Sequence, residues 1–280
     1  MSDTKMPLVS VIIPTWNRKD FLKRAIDSVL MQDGISVEIL VCDDGSTDGT
    51  VEMVSSLQDP RVRLITGPRA GRPAIPRNRG IREASGEWLA FLDDDDEWLP
   101  GKMQAQFAFA KEKGYLAATT NALRKIPGQE PYLPYLNGYV PECCDFKTLV
   151  SINFVITSSV IIHSSLLKRC EGFPESKKLI AHEDYALWLR IGSISPFGYI
   201  TEPYILYTDM PTQSVRRLGG NDRIVQLMVY CNWFFWAKLG IFSRNGLILI
   251  GRLIQLCFPA IIYNTIVTIF EKGKSVFSKS

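Results

Sequence analysis

Five consecutive acidic residues, Asp93, Asp94, Asp95, Asp96 and Glu97, separate Trp88-Leu89-Ala90-Phe91-Leu92 from Trp98-Leu99-Pro100. Carboxylates a few ångströms apart repel one another, and the repulsion grows as water is excluded. A buried strand that ends in such a run needs something to offset it. A hard divalent cation, which takes oxygen ligands, is the fitting partner. The plain alternative is a solvated acidic turn. Two more polar clusters follow apolar, β-branched runs: Pro14-Thr15-Trp16-Asn17 after LVSVII, and Asp43-Asp44-Gly45-Ser46 after VEILVC.

The elements that must hold these residues are legible from periodicity. Apolar runs at 8–13, 37–42, 62–66, 88–92 and 116–120 read as strands. Helical spacing covers 21–31, with Asp20 as the N-cap, then 50–57, 74–84 and 102–113. Strands alternating with helices imply a mostly parallel sheet covered on both faces. Ligands of such sheets bind beyond the carboxyl ends of the strands, where all three polar clusters fall. A Pro- and Gly-rich loop spans 127–141. Beyond it come an apolar run at 156–162, a short helix at 164–169, a helix beginning near Glu183 and an extended segment at 199–207. The loop 209–222 carries Arg216-Arg217 and Gly219-Gly220.

Composition narrows the class. Of the 280 residues 46% are hydrophobic and 22% charged, which describes a globular chain. A net charge of +3 gives no reason to expect nucleic acid. Six cysteines without a CxxC pair, and only two histidines, argue against structural zinc and for free thiols in a reducing compartment. The apolar run at 8–13 is too short for a signal peptide and runs into Pro14, so the main body is expected in the cytoplasm. GxGxxG, GxxxxGK[ST] and HExxH are all missing, and the turn from Asp43 to Gly49 lacks EF-hand spacing.

The four segments SVIIPTWNR, ILVCDDGSTDGT, PRNRGIREASGEWLAFLDDDDEWLPGK and HEDYALWLR, in this order across residues 9–190, resemble the inverting, GT-A-type glycosyltransferases of family 2, of the bacterial surface-polysaccharide kind. The resemblance implies an α/β GT-A fold over 1–222 and assigns roles residue by residue. Thr15, with Pro14 and Asn17 beside it, would hold the nucleotide base. Asp44 would accept from the N3–H of uracil, favouring a UDP-sugar, with a dTDP-sugar as the variant. Arg77 and Asn78 would approach the base or diphosphate. Asp93 would reach the ribose side and Asp95 would hold Mn²⁺ or Mg²⁺, with Asp94 open to either role and the register within the four aspartates not fixed by sequence; Asp96 and Glu97 would support them. Asp184 would be the catalytic base, in a helix first turn whose dipole keeps a carboxylate ionised. The bland reading of Glu183-Asp184 is acids that merely start a helix. One departure stands out: where many relatives carry Tyr-Arg-x-His, this chain reads Tyr207-Thr208-Asp209-Met210. Arg216 or Arg217 is the candidate substitute at the diphosphate, against the plain alternative of solvated loop arginines.

The segment 223–280 differs in kind. From Ile224 to Phe270 no residue is acidic, Lys238, Arg244 and Arg252 are the only charges, and Trp233-Phe234-Phe235-Trp236 cluster. Lys272, Lys274 and Lys279 follow. The uncharged run 253–270 is borderline against the about 20 apolar residues a span needs, and it contains Gln255, Pro259 and Asn264. The expectation is helices lying in the interface of an anionic membrane, which suits a lipid-linked or oligosaccharide acceptor and a place on the inner face of the plasma membrane. Packing on the catalytic domain, or on a second subunit in a homodimer, is the alternative. The reading as a whole is a metal-dependent inverting transferase of a hexose or N-acetylhexosamine. A nucleotidyltransferase and a non-catalytic nucleotide-sugar-binding protein are its rivals.

Overall fold

The run LVSVII becomes β1 (Leu8–Thr15), whose Val9, Val11, Ile12 and Ile13 are wholly buried in a computed structural model describing residues 8–126, 132–209, 222–238 and 243–257. Residues with two heavy atoms on Cβ fit a pleated strand packed on both faces. There follow α1 (Lys19–Leu30), β2 (Ser36–Asp43), α2 (Thr50–Ser56), β3 (Val62–Ile65), α3 (Ala74–Glu83), β4 (Trp88–Phe91), β5 (Glu97–Trp98) and α4 (Lys102–Lys113). The remainder of the first unit comprises β6 (Ala117–Lys125), β7 (Leu133–Pro134), β8 (Cys143–Cys144), α5 (Phe146–Ser151), β9 (Ile161–His163), α6 (Ser164–Cys170), α7 (Glu183–Gly192) and β10 (Phe197–Thr208). A second unit holds α8 (Asp222–Ala237) and α9 (Arg244–Cys257). The chain divides into these two compact units as Met1–Gly219 and Gly220–Ser280.

One sheet with the order β3-β2-β1-β4-β9-β6-β10-β5 runs through the first unit. β3, β2, β1 and β4 are parallel, as alternation with helices requires. The apolar run at 156–162 divides in two. Its first half leads into a 3-10 turn, Thr157–Ser159, and only its end forms β9, which lies antiparallel between β4 and β6. β10 then returns parallel to β6, so the long pairings on both sides of the sheet are parallel. The two-residue β5 crosses to the far edge and pairs antiparallel with β10.

Two local details position the site. The N-cap place of α1 belongs to Arg18, not Asp20, which sits one step inside the first turn, where its charge meets the positive end of the helix dipole. Leu22, Ala25, Ile26 and Val29, at helical spacing, form the buried face of α1 against the sheet. In α3 the residue facing the sheet is Gly80. A Cβ there would meet Cys42 Sγ at 2.7 Å and Ile12 Cγ2 at 2.8 Å, so its bare backbone sets how closely α3 rests on β1 and β2.

In the second unit Val229, Trp233 and Leu249 are buried, whereas Phe235 is 85% and Leu247 54% exposed. Among the described residues no helix is long and apolar enough to cross a membrane. Of the run 253–270 only the first five residues are described; the remainder and the tail lysines lie outside.

Candidate active site

The sheet brings its carboxyl ends to a cleft of about 310 Å³. Pro14, Thr15 and Trp16 reach it from the end of β1, Asp44 from the end of β2, Asp93, Asp94 and Asp95 from the end of β4, and Asp184 from the start of α7. The register pairs Thr15 with Asp43, and Asp44 N–H donates to the Thr15 carbonyl at 2.9 Å, so the first two clusters are joined through the backbone.

Asp94 accepts from Thr15 Oγ1 at 2.8 Å, and Arg18 donates to Asp94 at 3.1 Å and to Asp95 at 2.6 Å. One guanidinium thus serves two carboxylates. Burial pushes Asp94 up to about 7; Arg18 opposes this, and repulsion from Asp95 and Asp93 adds to it. Asp95 is raised too, first by burial and then by Asp93. Both carboxyls are thus raised although one arginine bonds to each of them. Asp96 is turned inward: its carboxylate accepts from Ser158 Oγ at 2.5 Å and from Thr208 N–H at 2.9 Å, and burial raises its pKa well above the usual range. Glu97 faces Arg24 at 3.4 Å and Lys125 at 3.5 Å.

Asp44 is fully engaged. Arg69 and Gly71 N–H (2.9 Å) donate to one oxygen, and Ala70 N–H (3.0 Å) and Arg79 (2.9 Å) to the other. Arg69 also lies flat over the Trp16 ring, 3.7 Å from its centroid. It is the exposed one of the two arginines, at 43% against 14% for Arg79.

Arg77 lines the cleft but is committed to protein partners. It donates to Asp93 at 2.5 Å and to Glu183 at 3.2 Å, and its guanidinium sits over the Phe173 ring. Burial works against its charge, but Asp93 and Glu183 raise its pKa regardless. Shared between two acids, Arg77 lowers Glu183 less than its burial raises it. Burial, with Asp184 adding repulsion, lifts Glu183 to about 7. Asp184 beside it accepts from Thr157 Oγ1 at 3.1 Å and from Tyr185 N–H at 2.7 Å.

Two of the sequence-predicted residues do not line the cleft. Asn78 donates to the Phe173 carbonyl and to Glu175, both at 2.8 Å, and accepts from Phe173 N–H. It ties α3 to the loop before α7, because its position in α3 turns it away from the strand ends. Asn17, at φ 52°, receives Thr47 N–H at 2.7 Å and so links the loops after β1 and β2. Arg216 and Arg217 lie outside the described residues.

Among the described residues no group of three or more His, Cys, Asp or Glu side chains converges. The loop offers oxygen ligands only, and the Asp95 carboxylate, 22% exposed, opens on the cleft. One or two carboxylates with the remaining positions left to water and phosphate is the donor set of Mg²⁺ bound with a nucleotide, so the residues fit.

Sequence reasoning missed Arg18, Arg69 and the Thr157–Ser159 turn. The arginines adjoin or flank recognised clusters, but their partners lie more than twenty residues away in the chain. The turn was hidden inside an apolar run, and its only signal was three consecutive hydroxyl residues.

The strand order, the acidic loop at the end of the central strand and the acid at the start of α7 define a GT-A-like nucleotide-sugar transferase fold. Residues 10–169 match the family described as Glycosyl transferase family 2, and the chain belongs to that family. It is 33% identical over 191 residues to an Escherichia coli protein named UDP-Glc:alpha-D-GlcNAc-diphosphoundecaprenol beta-1,3-glucosyltransferase WfaP, covering 66% of this chain and 70% of that one. It is also 33% identical over 223 residues to an uncharacterized glycosyltransferase of Rickettsia felis, covering 79% of this chain and 34% of that much longer one. The chain thus spans about a third of the Rickettsia relative's length. Among solved structures, Staphylococcus aureus TarS residues 1–349 with UDP-GlcNAc superposes with a TM-score of 0.71 at 20% identity, over 89% of this chain and 72% of that one, a likeness of fold.

Proposed function

We propose that this chain is an inverting glycosyltransferase that moves a hexose or N-acetylhexosamine from a UDP-sugar to a hydroxyl of a lipid-linked glycan in bacterial surface-polysaccharide synthesis. The observation that carries the reading is that Asp93–Asp95 and Asp184, ninety residues apart in sequence, line one cleft. In this reading the base bonds to Asp44 in place of Arg69, above Thr15 and Trp16; a thymine base, which keeps the same N3–H, fits equally. Asp93 and Asp94 face the ribose and Asp95 holds Mn²⁺ or Mg²⁺. Bound there, the ion supplies neutralisation of charge at the diphosphate. Asp184 accepts the proton of the acceptor hydroxyl as that oxygen bonds to the anomeric carbon. The anomeric carbon–oxygen bond to the diphosphate breaks on the opposite face, UDP leaves, and the anomeric configuration inverts. Arg77 keeps Asp93 and the start of α7 in fixed relation.

The lipid-linked acceptor is supported by the name of the E. coli relative, which acts on a GlcNAc-diphosphoundecaprenol. The basic, aromatic-rich second unit supports peripheral attachment to the inner face of the plasma membrane from the cytoplasm. The test is UDP release from UDP-glucose, UDP-galactose, UDP-GlcNAc and UDP-GalNAc, with extracts of undecaprenol-linked glycan as acceptor, before and after EDTA treatment and Mn²⁺ return. Release that needs both an acceptor and the ion is expected. Equal release without the ion would remove Asp95 from its assigned role, and no release from any of the four would sink the donor assignment.

A further inference from the structure

The turn Thr157–Ser159 carries three consecutive hydroxyls, each bonded to a different part of the molecule. Thr157 Oγ1 donates to Asp184 Oδ2 at 3.1 Å. Ser158 Oγ donates to Asp96 at 2.5 Å and accepts from Asp93 N–H at 3.1 Å, while the Ser158 carbonyl receives Trp98 Nε1–H at 2.9 Å. Ser159 Oγ pairs with Thr119 Oγ1, and the Ser159 carbonyl accepts from Gln106 at 2.8 Å. The three residues are 5%, 0% and 0% exposed. Hydroxyls buried to this degree are costly unless each is bonded, so their partners are a structural requirement and not incidental contacts.

The consequence falls on Asp184. A carboxylate in a helix first turn has a free rotation about Cβ–Cγ. Here one oxygen is held by Tyr185 N–H and the other by Thr157, so the plane of the group is fixed from two sides. Thr157 is β-branched and stiff at χ1, and it is seated on a turn whose next residue grips the acidic loop. Asp184 and Asp93 are thereby referred to one three-residue bracket.

We propose that Thr157 is a positioning residue for the transfer reaction: its hydroxyl holds the Asp184 carboxylate in the orientation from which it meets the acceptor hydroxyl, at a spacing from the acidic loop set by the same turn. The proposal rests on Asp184 being the base. Thr157 touches neither reactant in this scheme and acts through Asp184 alone. Losing one charge-assisted hydrogen bond to a reacting carboxylate lowers a rate by about tenfold to a hundredfold.

Thr157→Val keeps the shape and removes the hydroxyl; Thr157→Ser returns the hydroxyl. In full-length protein labelled with ¹³C at aspartate Cγ, the Asp184 resonance is the one lost in Asp184→Asn. It is expected to move in Thr157→Val and to return towards its wild-type place in Thr157→Ser. In single-turnover kinetics with the fastest donor of the four above, Thr157→Val is expected to lower the transfer rate about tenfold or more with the donor KM unchanged, and Thr157→Ser to restore it. An Asp184 resonance indifferent to Thr157→Val overturns the proposal, as does a valine variant with the wild-type rate, or one whose only change is in KM. The resonance arm needs no turnover. A moved resonance together with an active Asp184→Asn overturns the base reading instead, which separates the two failures.

Discussion

Asp184 and Glu183 are neighbours in sequence with opposite surroundings. Both line the cleft, but the Asp184 carboxylate has two neutral hydrogen-bond donors, whereas Glu183 is buried against an arginine it shares with Asp93. Asp184→Asn is expected to lower turnover by about 10³-fold, within the range for removal of a general base, and to leave UDP binding by calorimetry unchanged. Glu183 gives a stability signal with a definite sign. Its folded pKa of about 7 lies above the ordinary 4.5, so the folded state binds the extra proton between those values. Stability from this group is therefore present at pH 4.5 and lost as pH rises to 7, on the order of 1–3 kcal/mol. Urea unfolding at pH 5 and pH 7.5 should show a shallower loss in Glu183→Gln than in wild type; an unchanged loss would place the extra proton elsewhere. The identities of these acids were readable in the chain. Their partners were not, because Arg77 and Thr157 reach them from distant segments.

Elements were legible where local pattern and tertiary demand agree. The β-branched runs at 8–13 and 37–42 and the 3.6-residue spacing of α1 specify their structures without help from the rest of the chain. The run 156–162 did not, since an apolar stretch is compatible with a strand throughout; three hydroxyls and the bonds waiting for them drew its first part into a turn. The seat of α3 is a matter of close approach. Helix propensity alone favours alanine over glycine by about 1 kcal/mol. At Gly80, however, a Cβ would run into Cys42 and Ile12 in a closed core. Gly80→Ala is therefore expected to destabilise by about 1–3 kcal/mol in denaturant unfolding, and a stabilised variant would show that α3 can lift from the sheet at no cost.

Charge is distributed unevenly over the whole molecule. The chain is +3 overall, yet residues 223–280 hold Arg223, Lys238, Arg244, Arg252, Lys272, Lys274 and Lys279 against Glu271 alone, which leaves the first 222 residues net negative. Under the proposed reading, an anionic surface would attract the basic segment and repel the acidic first 222 residues. If the segment attaches to a membrane as proposed, the attraction is electrostatic and interfacial. Full-length protein is expected to sediment with phosphatidylglycerol vesicles at low salt and to be released near about 0.5 M NaCl, where the screening length is only a few ångströms. Binding that ignores both lipid charge and salt would count against this arrangement.

By itself the sequence determined the order of strands and helices in the parallel half of the sheet, and that three polar clusters and an acid pair are the candidates to meet at one cleft. These follow from side-chain shape, from periodicity and from the rule that parallel strands present their carboxyl ends together. The tertiary structure decided which acids face the cleft and which are turned inward, as Asp96 is, and that Arg69 pairs with Asp44. It also set Asn78 to bracing a loop and Thr157 to holding a carboxylate. Those outcomes rest on hydrogen bonds and ion pairs between segments tens of residues apart. Such bonds are worth forming only once the sheet has brought their partners within 3 Å and excluded water, and nothing in local pattern encodes that proximity.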